Sequence, residues 1–312
     1  MRLRQYRDDD FDAVLELANA HQLAAFGEAD YTAEDFRTWL TTPYVVVADD
    51  IRLLEEDGRL VGYADVDEQR QEPPRWWCDV KVAPDADAHA VIAELLAWIE
   101  ERVQRGRIRT WTSASDDRVA GAYAALDFEP VRHSYRMEID LAGAAGEPSW
   151  PEGVTVRGVE AGEERRVFEH VVEVWQDASD PIDETYEEWA HWMVDAPSHR
   201  RDLWFVAEQD GELAGFSLGR EDPTDAHAGH VSLLGVRRPW RRRGLGEALL
   251  LHSFAAFRAA GYRRGTLGVD ASSPTGATRL YERVGMRVYR DTVFLERPVG
   301  GGSGAGEQRV RP

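Results

Sequence analysis

Three consecutive arginines, Arg241, Arg242 and Arg243, run directly into Gly244, Leu245, Gly246 and Glu247. Ahead of them, Val231-Ser232-Leu233-Leu234-Gly235-Val236 reads as a buried strand; behind them, Leu245, Leu249 and Ala256 fall on one face of an amphipathic helix. A strand, a basic glycine-containing loop and a helix start together make an anion site. A diphosphate needs backbone N–H donors, the positive end of a helix dipole and no Cβ in its path. Gly244 and Gly246 remove the side chains, and the arginines add charge. Two further groups could move protons. Tyr281 lies on a short predicted helix, and His230 opens the strand with an imidazole that titrates near neutrality.

The pattern Arg241-x-x-Gly244-x-Gly246 after Leu234-Gly235-Val236 resembles the acetyl-CoA loop of the GNAT acyltransferase superfamily. The segment from Asp270 to Met286 is similar to that family's second signature, in which an Asn precedes a short helix carrying Leu-Tyr; here the helix carries Leu280-Tyr281 and Ser273 stands near the Asn position. The resemblance implies acetyl-CoA as co-substrate and no metal. It implies contacts from Leu234, Gly235, Val236, Arg241, Arg242, Arg243, Gly244, Leu245, Gly246, Glu247, Ser273 and Ala277. The implied reaction is transfer of an acetyl group to a primary amine of a small molecule, directly and in a ternary complex. Backbone N–H groups near Leu234 to Val236 would serve the oxyanion, and Tyr281 would protonate the departing sulfur. His230 stands where two-domain mycothiol synthases resemble a Glu, which makes it the candidate acceptor of the amine proton. The family's variable specificity elements fall in the first helices of the second half, so Trp175, Asp177 and Tyr186 are candidate acceptor contacts, with Asp180, Glu184, Trp189 and Trp192 beside them. Carboxylates could hold a cationic amine and aromatic rings could stack on it; Tyr186, Trp189 and Met193 at helical spacing equally fit a core face. Two other readings stand beside this one: a mycothiol-synthase-like enzyme acetylating a cysteinyl sugar, and a non-catalytic acyl-CoA-binding regulatory protein. Against the first, Gly268 and His230 occupy positions where that family resembles Tyr and Glu.

The elements that must position these residues occur twice. Gly58 in Glu56-Asp57-Gly58-Arg59-Leu60-Val61-Gly62-Tyr63 and Gly211 in Gln209-Asp210-Gly211-Glu212-Leu213-Ala214-Gly215-Phe216 stand about half the chain apart, and each Asp-Gly reads as a hairpin turn. Leu3-Arg4 recurs as Val156-Arg157, Leu95-Leu96 as Leu249-Leu250, and Tyr123 lies opposite Tyr281, all at nearly one spacing. The expected fold is α/β with a mixed sheet, as two tandem GNAT-like domains. Each would hold a mostly antiparallel central sheet flanked by helices. Residues 1–141 form the first domain, 142–153 an Ala/Gly/Pro-rich linker, 154–298 the second domain, and 299–312 a disordered glycine-rich tail. In the second half, strands are expected at 154–159, 203–209, 212–220, 229–236, 264–270 and 286–296, and helices at 163–176, 184–194, 244–260 and 275–284. In register, the first half places Asp87, Ala90 and Ile92 against Arg241, Gly244 and Gly246. A carboxylate and two Cβ-bearing residues oppose phosphate binding, so the first half is expected to carry no coenzyme.

Composition bounds the partners. Asp+Glu 57 against Lys+Arg 37 leaves a formal charge of −20, which opposes nucleic acid and anionic membrane. No stretch has the roughly 20 apolar residues of a membrane span and the N-terminus lacks a signal-peptide core, so a cytoplasmic monomer or homodimer is expected. The single cysteine, Cys78, precludes an intrachain disulfide and argues against an acyl-cysteine intermediate.

Overall fold

The computed structural model describes residues 1–69, 73–143, 146–178, 181–196, 198–273 and 276–299. The first half runs β1 (Arg2–Gln5), α1 (Phe11–Phe26), α2 (Ala33–Leu40), α3 (Val47–Asp50), β2 (Ile51–Glu56), β3 (Arg59–Gln69), β4 (Arg75–Val82), α4 (Ala88–Val103), β5 (Gly106–Ser113), α5 (Asp117–Ala125) and β6 (Glu129–Asp140). The second half repeats that order, without a counterpart of α3, as β7 (Val154–Gly158), α6 (Glu164–Trp175), α7 (Tyr186–Met193), β8 (His199–Gln209), β9 (Glu212–Asp222), β10 (Asp225–Val236), α8 (Leu245–Ala259), β11 (Arg264–Asp270), α9 (Ala277–Arg283) and β12 (Arg287–Val299). Both Asp-Gly pairs turn hairpins. Asp57 and Gly58 have φ of 51° and 79°, Asp210 and Gly211 of 54° and 81°, the positive values that match a two-residue turn to strand twist.

Among the described residues the strands form one mixed sheet, ordered β1-β2-β3-β4-β5-β12-β6-β11-β10-β9-β8-β7. Two separate sheets are the expectation from the repeat; instead each half gives its last strand to the other. β6 pairs with β11 and β12 with β5, and the two exchanged strands pair with each other. The reason is apolar and ionic at once. Val293 and Leu295 of β12 enter the core of the first half, while Met137 and Ile139 of β6 enter that of the second. Glu296 of β12 accepts from Arg107 and Arg109 of β5 at 2.6 and 2.7 Å. Glu138 of β6 accepts from Arg264 of β11 at 2.9 Å. This pairing also orders the chain past Glu296: Arg297, Pro298 and Val299 lie opposite Ile108, Arg107 and Gly106. The expected tail therefore does not begin at 299, and 300–312 lie outside the described residues. In the expected linker, Trp150 meets the His252 ring edge-on at 5.7 Å; Ala144 and Ala145 lie outside the described residues.

Each half contains a fork. β4 and β5 pair in parallel only over Arg75–Trp77, and β10 and β11 only over Ala228–Val231. Beyond those points the parallel neighbours separate, leaving one edge of β4 and one of β10 without a partner strand among the described residues. A register shift between Val231 and Leu233 in the β9 ladder accompanies the second separation, as bulges do where a strand is re-aimed. Among the described residues no helix is long and apolar enough to cross a membrane.

The fork depends on α8 lying close over β10. At Gly229 an added Cβ would stand 2.4 Å from Cγ of Phe257. Gly229→Ala should destabilise the protein by about 1–3 kcal/mol, the usual cost of overpacking. Gly268→Ala, where no atom of the described residues lies within 4 Å of the new Cβ, should be close to neutral. Chemical denaturation of the two variants side by side tests this, and equal midpoints would contradict the packing described.

Candidate active site

α8 starts without a side-chain cap. Its N-cap, Gly244, has φ 85°, a left-handed turn that glycine makes freely. The first helical bond runs from Ala248 N–H to Gly244 O at 3.0 Å, so the N–H groups of Leu245, Gly246 and Glu247 have no intrahelical acceptor. Among the described residues nothing lies within 4 Å of a Cβ placed on Gly244, and one on Gly246 would touch Leu280 and Val236, each at 3.6 Å. Three free donors at the positive end of a helix, in open space, fit a diphosphate. Gly246 also marks where α8, α9 and the free edge of β10 converge.

The arginines of the loop divide into two groups. Arg241 Nε donates to Val236 O at 2.8 Å and its Nη1 to Asp177 at 2.6 Å. Arg238 grips the same carboxylate, and Arg237 holds Glu173 at 2.8 Å. Arg242 and Arg243 are exposed and form no ion pair among the described residues. Glu247 faces Arg283 at 3.7 Å. Ser273 lies in the turn before α9, its N–H bonded to Asp270 O at 3.0 Å, and Ala277 packs against the cluster that holds Tyr281.

The expected acceptor contacts are all engaged with protein groups in this geometry. Asp177 is engaged by Arg238 and Arg241, which hold its carboxyl well below the usual range. Trp175 stacks on Phe216, centroids 6.2 Å apart. Tyr186 packs edge-on to Phe168 and under the Arg165 guanidinium, and Trp189 is a core residue of the same cluster. The helical spacing of these rings reflects packing. Asp180 lies outside the described residues, and Glu184 lines a separate acidic cavity of about 250 Å³ beside Asp67 and Asp183.

Tyr281 and His230 flank the second fork. Tyr281 sits in the apolar cluster of Val231, Val269 and Leu280. Burial pushes its hydroxyl up to about 12, so it is protonated at neutral pH, and no protein group among the described residues bonds its Oη. His230 lies at the root of the fork, paired with Thr266 across β10 and β11, and on the opposite sheet face from Val231, since successive strand residues alternate. Its Nδ1 lies 2.8 Å from Thr266 Oγ1 and 3.7 Å from Asp222. Burial, then Arg136, pushes the imidazole down to about 3 against the opposing pull of Asp222, so it is neutral at pH 7. Three neighbours of this histidine, Thr266, Asp222 and Arg136, were not legible in the sequence. Arg136 arrives on the exchanged strand β6, and Asp222 and Thr266 carry no motif.

The first fork is filled. Asp87 caps α4, its carboxylate accepting from Ala90 N–H at 3.1 Å. α4 thereby starts one turn earlier in register than α8, while the helices still pack alike, Leu95 over Gly62 and Leu249 over Gly215. His21 on α1 takes the Val82 N–H at 3.2 Å on the edge of β4. Lys81, fully buried, pairs with Asp79 at 2.8 Å and lies over the Trp111 ring. Tyr123 is engaged by Thr110 at 3.1 Å, unlike Tyr281.

Residues 165–286 match the acetyltransferase (GNAT) family. A mycothiol acetyltransferase from Streptomyces griseus subsp. griseus is 30% identical over 260 residues, 76% of each chain. One from Thermobispora bispora is 27% identical over 256 residues, 78% of this chain and 82% of that one. A GCN5-related N-acetyltransferase from Sphaerobacter thermophilus, of known structure, superposes with a TM-score of 0.78 at 30% identity over 97% of this chain and 96% of that one. A tandem GNAT protein from the clavulanic acid biosynthesis pathway shares the fold at a TM-score of 0.71 and 16% identity, over 97% of this chain and 100% of that one. The chain belongs to the GNAT acetyltransferase family. It is an acyltransferase that carries out acetyl transfer, and GNAT acetyltransferases use acetyl-CoA as donor.

The contrast between the forks yields a stoichiometry. Calorimetry should find one acetyl-CoA bound per chain, and Asp87→Gly alone should not create a second site, because His21 and Lys81 still fill the first fork. Two coenzymes per wild-type chain would contradict this.

Proposed function

We propose that this acyltransferase acetylates the primary amine of a small molecule by direct transfer in a ternary complex, with residues 154–298 holding acetyl-CoA and residues 1–141 serving as a coenzyme-free partner. The observation that carries the reading is the pairing of a neutral, unbonded imidazole nitrogen at the fork's root with a protonated, unbonded tyrosine beside the fork. An acetyl transfer to an amine needs those two states together. The donor supplies the acetyl group as an activated thioester. The amides of Leu245, Gly246 and Glu247, with Arg241, Arg242 and Arg243, would hold its diphosphate; Ser273 and Ala277 lie where its arm would pass α9. Amides on the free edge of β10, from Leu234 through Gly235 to Val236, would face the developing oxyanion. As the amine nitrogen bonds the acetyl carbon and the carbon–sulfur bond breaks, His230 Nε2 takes the amine proton and Tyr281 Oη gives its proton to the sulfur. Cys78, fully enclosed within the first half, is remote from this chemistry, which favours direct transfer over an acyl-cysteine.

A second reading has its own support: the relatives at 27% and 30% identity are named mycothiol acetyltransferases, which favours the amine of a cysteinyl sugar. Assaying thiol release with such a sugar beside simple amines separates the two.

Arg241→Glu should weaken acetyl-CoA binding roughly tenfold to a hundredfold, the worth of one charge-assisted contact; unchanged affinity would remove the loop from the site. Tyr281→Phe should lower kcat by about 100-fold or more, as loss of a general acid does, with little change in acetyl-CoA affinity. Because burial and Arg136 hold the His230 imidazole neutral well below its ordinary range, the acid limb of kcat/KM should follow the pKa of the acceptor and move across a series of amines. A limb fixed near 6.5 for every amine would show the imidazole titrating at its ordinary value and would contradict the neutral resting ring.

A further inference from the structure

The geometry points to a positioning function for Thr266 and Asp222: together they fix the tautomer of His230, so that Nδ1 carries the proton and Nε2 presents a bare lone pair to the acceptor. This rests on the reading of His230 as the group that takes the amine proton.

The hydrogen count fixes the direction. Asp222, whose side chain is fully buried, receives donors on both oxygens: Thr224 N–H at 2.9 Å and Thr224 Oγ1 at 2.7 Å on one, Arg136 at 3.0 Å and the Thr266 hydroxyl on the other. A carboxylate with four donors is ionised and can only accept. Burial raises its carboxyl, but Arg136 and the other donors outweigh this and hold it below the usual carboxylate range. Thr266 has one hydroxyl proton, and it goes to Asp222. Its oxygen can therefore meet Nδ1 at 2.8 Å only as an acceptor, so Nδ1 is the protonated nitrogen. A neutral ring then has no proton on Nε2, to which no protein group bonds among the described residues.

The charges around the ring favour this state and prepare the next. Arg136 on β6 and Arg220 on β9 oppose protonation, whereas Asp222 on β9 favours it. The resting ring stays neutral. Once Nε2 accepts a proton, the new positive charge is coupled through Nδ1–H and the Thr266 hydroxyl to the Asp222 carboxylate, 3.7 Å from Nδ1. Neither Thr266 nor Asp222 needs to touch a substrate. Their effect is on which nitrogen is basic and on how well the ring holds its proton.

The test is nitrogen-15 NMR of the whole chain at neutral pH. The His230 signals are assigned among nine histidines by their loss in His230→Gln. Wild type should show a pyrrole-type Nδ1 and a pyridine-type Nε2. Thr266→Val should populate the other tautomer and lower kcat/KM about tenfold or more, since a wrong tautomer is costly wherever an imidazole is the base. Thr266→Ser, which keeps the hydroxyl, should restore both. A protonated Nε2 in wild type, or an unchanged tautomer in Thr266→Val, would overturn the inference; the wild-type spectrum decides the first point even if the valine variant fails to fold. If the tautomer behaves as expected while His230→Gln keeps full turnover, the lock stands and the assignment of His230 as proton acceptor falls.

Discussion

Three backbone N–H groups at the start of α8 have no acceptor of their own, and the proposed chemistry depends on that vacancy. It exists because Gly244 turns the chain with φ 85° and brings no carboxylate to the helix end. The corresponding helix of the first half shows the alternative. There Asp87 supplies the carboxylate, Ala90 N–H is satisfied, and the helix gains a turn where the second half keeps a loop. A cap residue that strengthens one helix closes its end to an outside anion, whereas a glycine leaves the end available to a ligand. The cost in helix stability is offset where α8 packs over β9 and β10, with Leu249, Phe254 and Phe257 buried.

The exchange of β6 and β12 explains how a half with a filled fork can still matter to acetyl transfer. Each core contains side chains from the other half's last strand, so the halves cannot part without exposing Met137, Ile139, Val293 and Leu295. The exchange also delivers polar groups. Arg136 reaches Asp222 from β6, and Arg290 on β12 meets Asp30 and Glu28 of the first half. The environment of His230 is therefore assembled from both halves. His191 and Thr38 make a further bridge at 2.9 Å between α7 and α2.

Local signals in the sequence proved readable. Asp-Gly turns, the apolar run from Val231 and the glycines at the head of α8 are set by neighbours in the chain, so the hairpins, β10 and α8 lie near their expected positions. Long-range pairing was not readable in the same way. Nothing within Arg287–Val299 reveals that β5 is its partner, because a strand pattern reports which face is buried and not which strand lies beside it. For the same reason Val299, taken alone, read as the start of a tail. Trp175, Asp177 and Tyr186 have residue types suited to an amine, while the ring packing on Phe216 and Phe168 and the grip of Arg238 and Arg241 came only with the fold. Thr266 and Asp222 have ordinary types and no motif; only the register of β9, β10 and β11 brings them to His230.

The central claim concerns which amides meet the coenzyme, and amide chemical shifts read that directly. Titrating isotopically labelled protein with acetyl-CoA should move the N–H signals of Leu245, Gly246 and Glu247 most, while those of Ala88, His89 and Ala90 stay in place. Large shifts at Ala88 to Ala90, or none at Leu245 to Glu247 under saturating coenzyme, would contradict the account.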